Sequence, residues 1–380
     1  MNDLKYLDHA STTPLDEDAA KMFIEISTKY YANASSLHDM GDSARKILEN
    51  CRNEWGQLLT VDKSGIYFTS GGSESNHLIL HSLLLSKKQT NGKHIITGMA
   101  EHASIHTTMN LLEKQGYEIT SLPLQENGLI NLNMLKKAIR KDTVLVTIQH
   151  INSEIGAIQP IEDIGALCKK SSILFHSDMV QSMGKVDISE ITKFVDALSI
   201  SSHKFYGPKG VGIAYINPSI SWYPYYPQTS HENGFRPGTV NTAGIASMTV
   251  AAQKACLNQG EEKERLFHLR SVLKERINHP SVEILECENQ YPGIIGMLVK
   301  GIEGQWLMLE ANRKGFAIST GSACQVGKQA PSKTMKALGL SDGAAKEFIR
   351  ISLGKENTEE DIVKFTSVLL EILENSGVVM

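Results

Sequence analysis

The chain has 380 residues with 41% hydrophobic and 21% charged side chains and a net charge of −4, a length that buries a sizeable core and predicts two domains. That charge gives no electrostatic case for nucleic acid, and the apolar runs, such as "LILHSLLL", are too short to span a bilayer. Five scattered cysteines without a Cys-x-x-Cys pair argue against a disulfide framework or zinc ribbon and for a reducing cytosol, while none of the 13 histidines has a metal-ligand spacing.

The N-terminal "MNDLKYLDHASTTP" lacks a basic stretch followed by an apolar one, so no secretory signal is expected and the location predicted is cytoplasmic. A strand ends at Thr69 and a helix opens at Ser73. "HIITG" (94–98) reads as a strand, 102–115 as a helix, "EITSLPL" as a strand, 131–140 as a helix, "TVLVTIQ" as a strand, 160–170 as a helix and "SILFHSD" as a strand. "ALSI" and "VGIAYI" flank "SSHKFYGPKG" as two more. This alternation predicts an α/β fold with a mostly parallel sheet, whose ligand site gathers at the carboxyl ends of the strands. Beyond about residue 255 the pattern changes: one long helix near 244–278, a strand in "GIIGMLVKGI", a helix from about Glu303, a strand in "EFIRISLG", and a last helix capped by Thr358. The expected division is a large domain over 15–255 and a smaller α+β domain over 1–14 and 256–380.

The strand ends carry the chemistry. Lys204, in a turn bracketed by Ser201, Ser202 and Gly207, is either a solvated surface lysine or an amine held ready for a carbonyl. Asp178 ends a strand with Gln181 three residues on; it either caps the next turn or holds the ring nitrogen of pyridoxal phosphate protonated. "FTSGGSESN" joins a strand, two glycines and a helix N-terminus, a weak signal alone for a phosphate cradle. His102 sits at another strand-to-helix junction, as a cap or as a ring that stacks on a planar cofactor.

Taken together, "YLDHASTTP", "TSGGSESN", "EHASI", "NSEIGAIQPI", "SDMVQSMGK", "SSHKFYGPKG", "FRPGT", "STGSAC" and "IRISLG" resemble, in order, the motifs of the NifS/IscS-type cysteine desulfurases, which are class V, fold-type-I pyridoxal phosphate enzymes. The resemblance spans roughly 5–365 and implies a seven-stranded-type sheet in the large domain, a homodimer, and removal of sulfur from L-cysteine to give L-alanine and an enzyme persulfide. It implies Lys204 as the cofactor lysine, Asp178 at the pyridine nitrogen, Gln181 with Asn152 and Ser153 near the ring hydroxyl, and His102 stacked on the ring and moving protons. Gly72, Ser73, Ser201 and His203 should hold the phosphate, with Thr239 reaching it from the partner subunit. Arg350 should clamp the substrate carboxylate, with Asn33 nearby, and Cys324 should accept the sulfur; the other four cysteines read as small buried hydrophobes.

The sequence departs from the family's pattern where Ser153 replaces a second asparagine, where Gln228-Thr229-Ser230 replaces three glycines, and where alanine rather than proline follows Asn33. The rival readings are a selenocysteine lyase or another class V aminotransferase and, from a different class, a silent scaffold with the same fold. The expected sulfur acceptors are an iron–sulfur scaffold, a tRNA thiolation enzyme or a dedicated iron–sulfur enzyme, with no direct nucleic acid and no membrane.

Overall fold

A computed structural model describes residues 4–87, 92–321 and 331–376. Its strands are β1 (Lys5–Tyr6), β2 (Ile66–Thr69), β3 (His94–Gly98), β4 (Glu118–Leu122), β5 (Thr143–Thr147), β6 (Leu174–Asp178), β7 (Ala197–Ser201), β8 (Gly212–Ile216), β9 (Val282–Ile284), β10 (Ile294–Val299), β11 (Phe316–Ala317) and β12 (Phe348–Ser352). The large sheet has 7 strands in the order β2-β8-β7-β6-β5-β3-β4. Only β8 runs against its neighbours there, so β2, β3, β5, β6 and β7 all deliver their carboxyl ends to one edge.

The near-continuous apolar strands follow from burial on both faces. Alternate residues separate cleanly: Ile96, Val146, Phe175, Leu198 and Ile213 share a core with Trp55, Leu59 and Met248, from the helices Asp39–Leu59 and Thr242–Leu257. Their neighbours Ile95, Leu145, Leu174, Ala197 and Ala214 pack with Leu78, Leu83 and Ile105, from the helices Gly72–Lys87 and Ala103–Lys114. A one-residue slip would exchange the two faces of a strand.

A second, antiparallel sheet has the order β12-β10-β9, and β1 pairs in parallel with β11 beside it. Leu7 and Ala10 of the N-terminal segment join this core with Leu266, Leu269, Ile362 and Phe365. The final helix, Glu359–Asn375, opens with a capping box in which Thr358 and Asp361 exchange hydrogen bonds, as its sequence predicts.

The single helix expected over 244–278 is two, Thr242–Leu257 and Gln259–Arg276, broken at Asn258. Helical propensity is continuous across the break, but the buried faces are not. Ile245, Met248 and Ala251 belong to the core of the large sheet, whereas Leu266 and Leu269 belong to that of the small one. The chain turns at Asn258 to pass from one to the other.

The loop after β8 is fixed by a buried ion pair. Glu232 adopts a left-handed backbone (φ 47°) uncommon for its type. Its carboxylate accepts two guanidinium N–H groups from Arg52, at 3.0 Å each, and the backbone N–H of Phe68 at 2.7 Å. Removing that carboxylate leaves a guanidinium only 7% exposed with Glu49, a half-exposed side chain on its Nε at 3.2 Å, as its remaining counter-charge. Glu232→Ala should therefore cost about 3–5 kcal/mol of stability, seen as a lower urea midpoint, and Glu232→Gln, which keeps an acceptor, should cost less.

Candidate active site

At the carboxyl edge of the large sheet lies a cleft of about 490 Å³, closed on its far side by the N-terminal segment and by β12. The size suits a small organic ligand. Ten expected site residues line it: Gly72, Ser73, His102, Ser153, Asp178, Gln181, Ser201, His203, Lys204 and Arg350.

Asp178, the last residue of β6, is buried, and its carboxylate is oriented from two sides. Asn76 Nδ2 donates to Oδ2 at 2.7 Å and the Val180 N–H donates to Oδ1 at 3.0 Å. Asn76 also donates to Ser104 Oγ at 3.0 Å, which ties the first turns of two helices to this acid. Lys204 follows β7 in a short turn, with its amine 2.6 Å from the Ala10 carbonyl and 2.8 Å from that of Ser11. Lys209, the other lysine of the same motif, is exposed and does not line the cleft.

The helix N-terminus at Gly72 is closely approached by its neighbours. Gly71 has φ +145°, and a Cβ on Gly72 would fall 2.5 Å from Val180, so glycine alone lets the backbone at this helix N-terminus approach so closely. Ser201 is the nearest wall: its Oγ lies 3.5 Å from where a Gly71 Cβ would be. His203 is held by Thr12 at 3.1 Å, and burial, reinforced by the Lys204 charge, lowers its pKa to about 4, leaving a neutral ring.

His102 is both a cap and a cleft residue. The Ser104 N–H donates to its Nδ1 at 3.2 Å, which leaves Nε2 as the ring nitrogen not used by the cap. Arg350 donates to the Ser153 carbonyl at 2.8 Å, to Asp8 at 2.5 Å and to Ser11 Oγ at 2.8 Å. Three of its five N–H groups are thereby used, and the buried Nε is without a partner.

Three expected residues are not in the cleft. Asn152 is buried beneath it: its Oδ1 accepts the N–H groups of Glu154 and Ile155, and its Nδ2 donates to Thr334, so its amide folds the loop and is not available to a cofactor of its own chain. Thr239 and Asn33 are exposed and outside the lining. Cys324 lies outside the described residues.

Other contributors carry no sequence signal of their own. Asp8, Ser11 and Asn76 act through contacts across the fold. Glu101 lines the cleft with its Oε2 buried and unpartnered; burial raises its pKa well above the usual carboxylate range, and its Oε1 accepts the Gln149 N–H at 2.9 Å. Glu154, paired with Ser332, is raised to about 7 by burial.

The aminotransferase class-V model matches residues 5–365. The chain belongs to this family, on its cysteine desulfurase branch. The putative cysteine desulfurase NifS of Bacillus subtilis (strain 168) is 46% identical, over 94% of this chain and 91% of its own. The cysteine desulfurase IscS of Clostridium botulinum (strain Hall) is 37% identical, over 98% and 95%. Among solved structures, a NifS-like protein superposes with a TM-score of 0.91 at 32% identity, covering 98% of this chain and 100% of that one. SspA, solved in complex with cysteine, gives 0.81 at 31% identity, covering 92% and 98%. Class-V enzymes of this branch use pyridoxal 5′-phosphate. The cleft fits it: the Asp178 carboxylate, the Lys204 amine and a glycine-lined helix N-terminus with Ser73 and Ser201 all line the same cavity.

The buried Glu154 makes a pH test of the site's wall. An acid whose folded pKa is raised from 4.5 to about 7 keeps its proton in the native state after the unfolded chain has lost it. Native stability therefore falls as pH rises through that window. Glu154→Gln escapes the loss. Its stability relative to the unsubstituted protein should improve by on the order of 3 kcal/mol between pH 4.5 and pH 8 in urea melts.

Proposed function

We infer that this class-V enzyme removes the sulfur of L-cysteine, releases L-alanine and retains the sulfur as a persulfide on Cys324. The observation that carries the reading is the meeting of Lys204, Asp178, the Gly72 cradle and Arg350 around one cleft. Lys204 Nζ would hold the aldehyde carbon of pyridoxal 5′-phosphate, Asp178 its ring nitrogen, Gln181 its ring hydroxyl, and Ser73, Ser201 and His203 its phosphate. When bound, the cofactor supplies an electron sink that weakens the Cβ–S bond of cysteine.

The chain's own groups do the rest. Arg350 supplies the positive charge for the substrate carboxylate and an N–H not spent on its own chain, while the Ser153 carbonyl, Asp8 and Ser11 keep the guanidinium in place. His102, held by its cap through Nδ1, would stack on the ring and move protons through Nε2. In the sulfur step an S–S bond forms to Cys324 as the Cβ–S bond breaks. Cysteine and a thiol become alanine and a persulfide, with no external oxidant or reductant.

The four other thiols are poor candidates. Cys51 and Cys168 are buried, and burial raises the pKa of all four, Cys168 to about 12 and Cys287 to about 11. Thr239, exposed on its own chain, is assigned to the phosphate of a second copy in a homodimer, and Asn33 to the substrate's surroundings. The persulfide would pass to an iron–sulfur scaffold, a tRNA thiolation enzyme or a dedicated iron–sulfur enzyme.

Cys324→Ser tests the reading. The variant should bind cofactor and cysteine but release no alanine in a single turnover, and the parent enzyme given cysteine without reductant should gain one sulfur on the peptide containing Cys324. Normal alanine release by the variant refutes the transfer role. Separately, Arg350→Ala should weaken cysteine binding by about 2–5 kcal/mol, read as a raised KM, while cofactor binding changes little.

A further inference from the structure

Behind the cleft, Lys185 completes a closed circuit of hydrogen bonds. Its Nζ donates to Gln181 Oε1 at 3.1 Å and to the main-chain carbonyl of Lys204 at 3.0 Å. Gln181 Nε2 donates to the Ala10 carbonyl at 2.8 Å, and that carbonyl also accepts from Lys204 Nζ at 2.6 Å. The Gln181 amide is thus read from both ends. A carbonyl can only accept and a lysine amine here donates, so the oxygen points to Lys185 and the NH₂ to Ala10. One amide N–H remains for the cleft that Gln181 lines.

We propose that Lys185 is a positioning residue for cofactor binding: anchored on the main-chain carbonyl of Lys204, it fixes the Gln181 amide with its NH₂ toward the ring hydroxyl. The inference rests on the assignment of Gln181 to that hydroxyl. With a cofactor on Lys204 Nζ, that nitrogen could no longer donate to both the Ala10 and Ser11 carbonyls, whereas both bonds from Lys185 go to atoms that would not react. Lys185 is the part of the circuit that persists in the working enzyme.

The setting supports the role. Burial, with the charge of Lys204, lowers the Lys185 amine to about 7; charged or neutral, it keeps at least two N–H groups for its two acceptors. A further cavity of about 40 Å³, lined by Lys185, Lys204, His9 and Tyr291, has room for a water to meet a third. Gly184 has φ +72°, and a Cβ there would fall 2.6 Å from that of Ala255, so the turn that aims Lys185 inward admits glycine alone.

A double-mutant cycle tests the proposal by titrating apoprotein with pyridoxal 5′-phosphate and recording its visible band. Lys185→Met should weaken binding by about tenfold, the value of one hydrogen bond near a charged group, and move the band in the same direction as Gln181→Ala. The double variant should be no weaker than Gln181→Ala alone. An unchanged Lys185→Met, or losses that multiply in the double variant, would overturn the proposal. If Gln181→Ala itself left band and affinity unaltered, the assignment of Gln181 would fail first and the inference with it. Should Lys185→Met not fold, Lys185→Gln, which keeps an N–H donor, takes its place; it should bind more tightly than Gln181→Ala, and equal weakness counts against the role.

Discussion

The site depends on the N-terminal segment from Asp8 to Thr13, wedged between the two sheets. Its main chain and side chains bind groups from both sides: the Ala10 and Ser11 carbonyls hold Lys204, Ala10 also holds Gln181, Thr12 holds His203, and Asp8 with Ser11 hold Arg350. Without it Lys204 and Arg350 would belong to separate surfaces. The segment is itself anchored by Leu7 and Ala10 in the core of the small sheet and by a bridge from Asp8 to Ser352. Positioning by packed backbone is stiffer than positioning by side chains on a loop, and catalytic geometry tolerates little slack.

Much of this was legible in the sequence, for physical reasons. Strands buried on two faces leave uninterrupted apolar runs, so β3, β5, β6, β7 and β8 could be read directly, and the parallel arrangement fixed where Asp178 and Lys204 had to emerge. Asp8 and Asn76 were not legible as site residues, because their partners lie far along the chain and no periodicity records such contacts. Lys185 looks like any lysine after a glycine until the turn shows which way it points. Asn152 did carry a local signal: an asparagine whose oxygen meets the N–H groups two and three residues on is a loop former. The break at Asn258 was hidden because propensity is local, whereas the change of core that causes it is not.

The departure at Ser153 takes on a definite meaning. Arg350 binds the main-chain carbonyl of this residue, and serine supplies that as well as asparagine does. The exchange therefore spares the guanidinium and shortens only what reaches into the cleft. Arg350 is held by atoms a substitution at 153 does not remove.

The contact between Asp8 and Arg350 joins residues 342 positions apart. On the ribosome the segment that closes the site is made 342 residues ahead of its partner Arg350. At roughly 5–20 residues per second this is a wait on the order of 20–70 seconds. During that interval the large sheet can form, but the amine of Lys204 and the guanidinium that is to face it are not yet tied together. The complete cleft thus forms only after β12 has been made, and a ligand that needs all of it can bind only from then on.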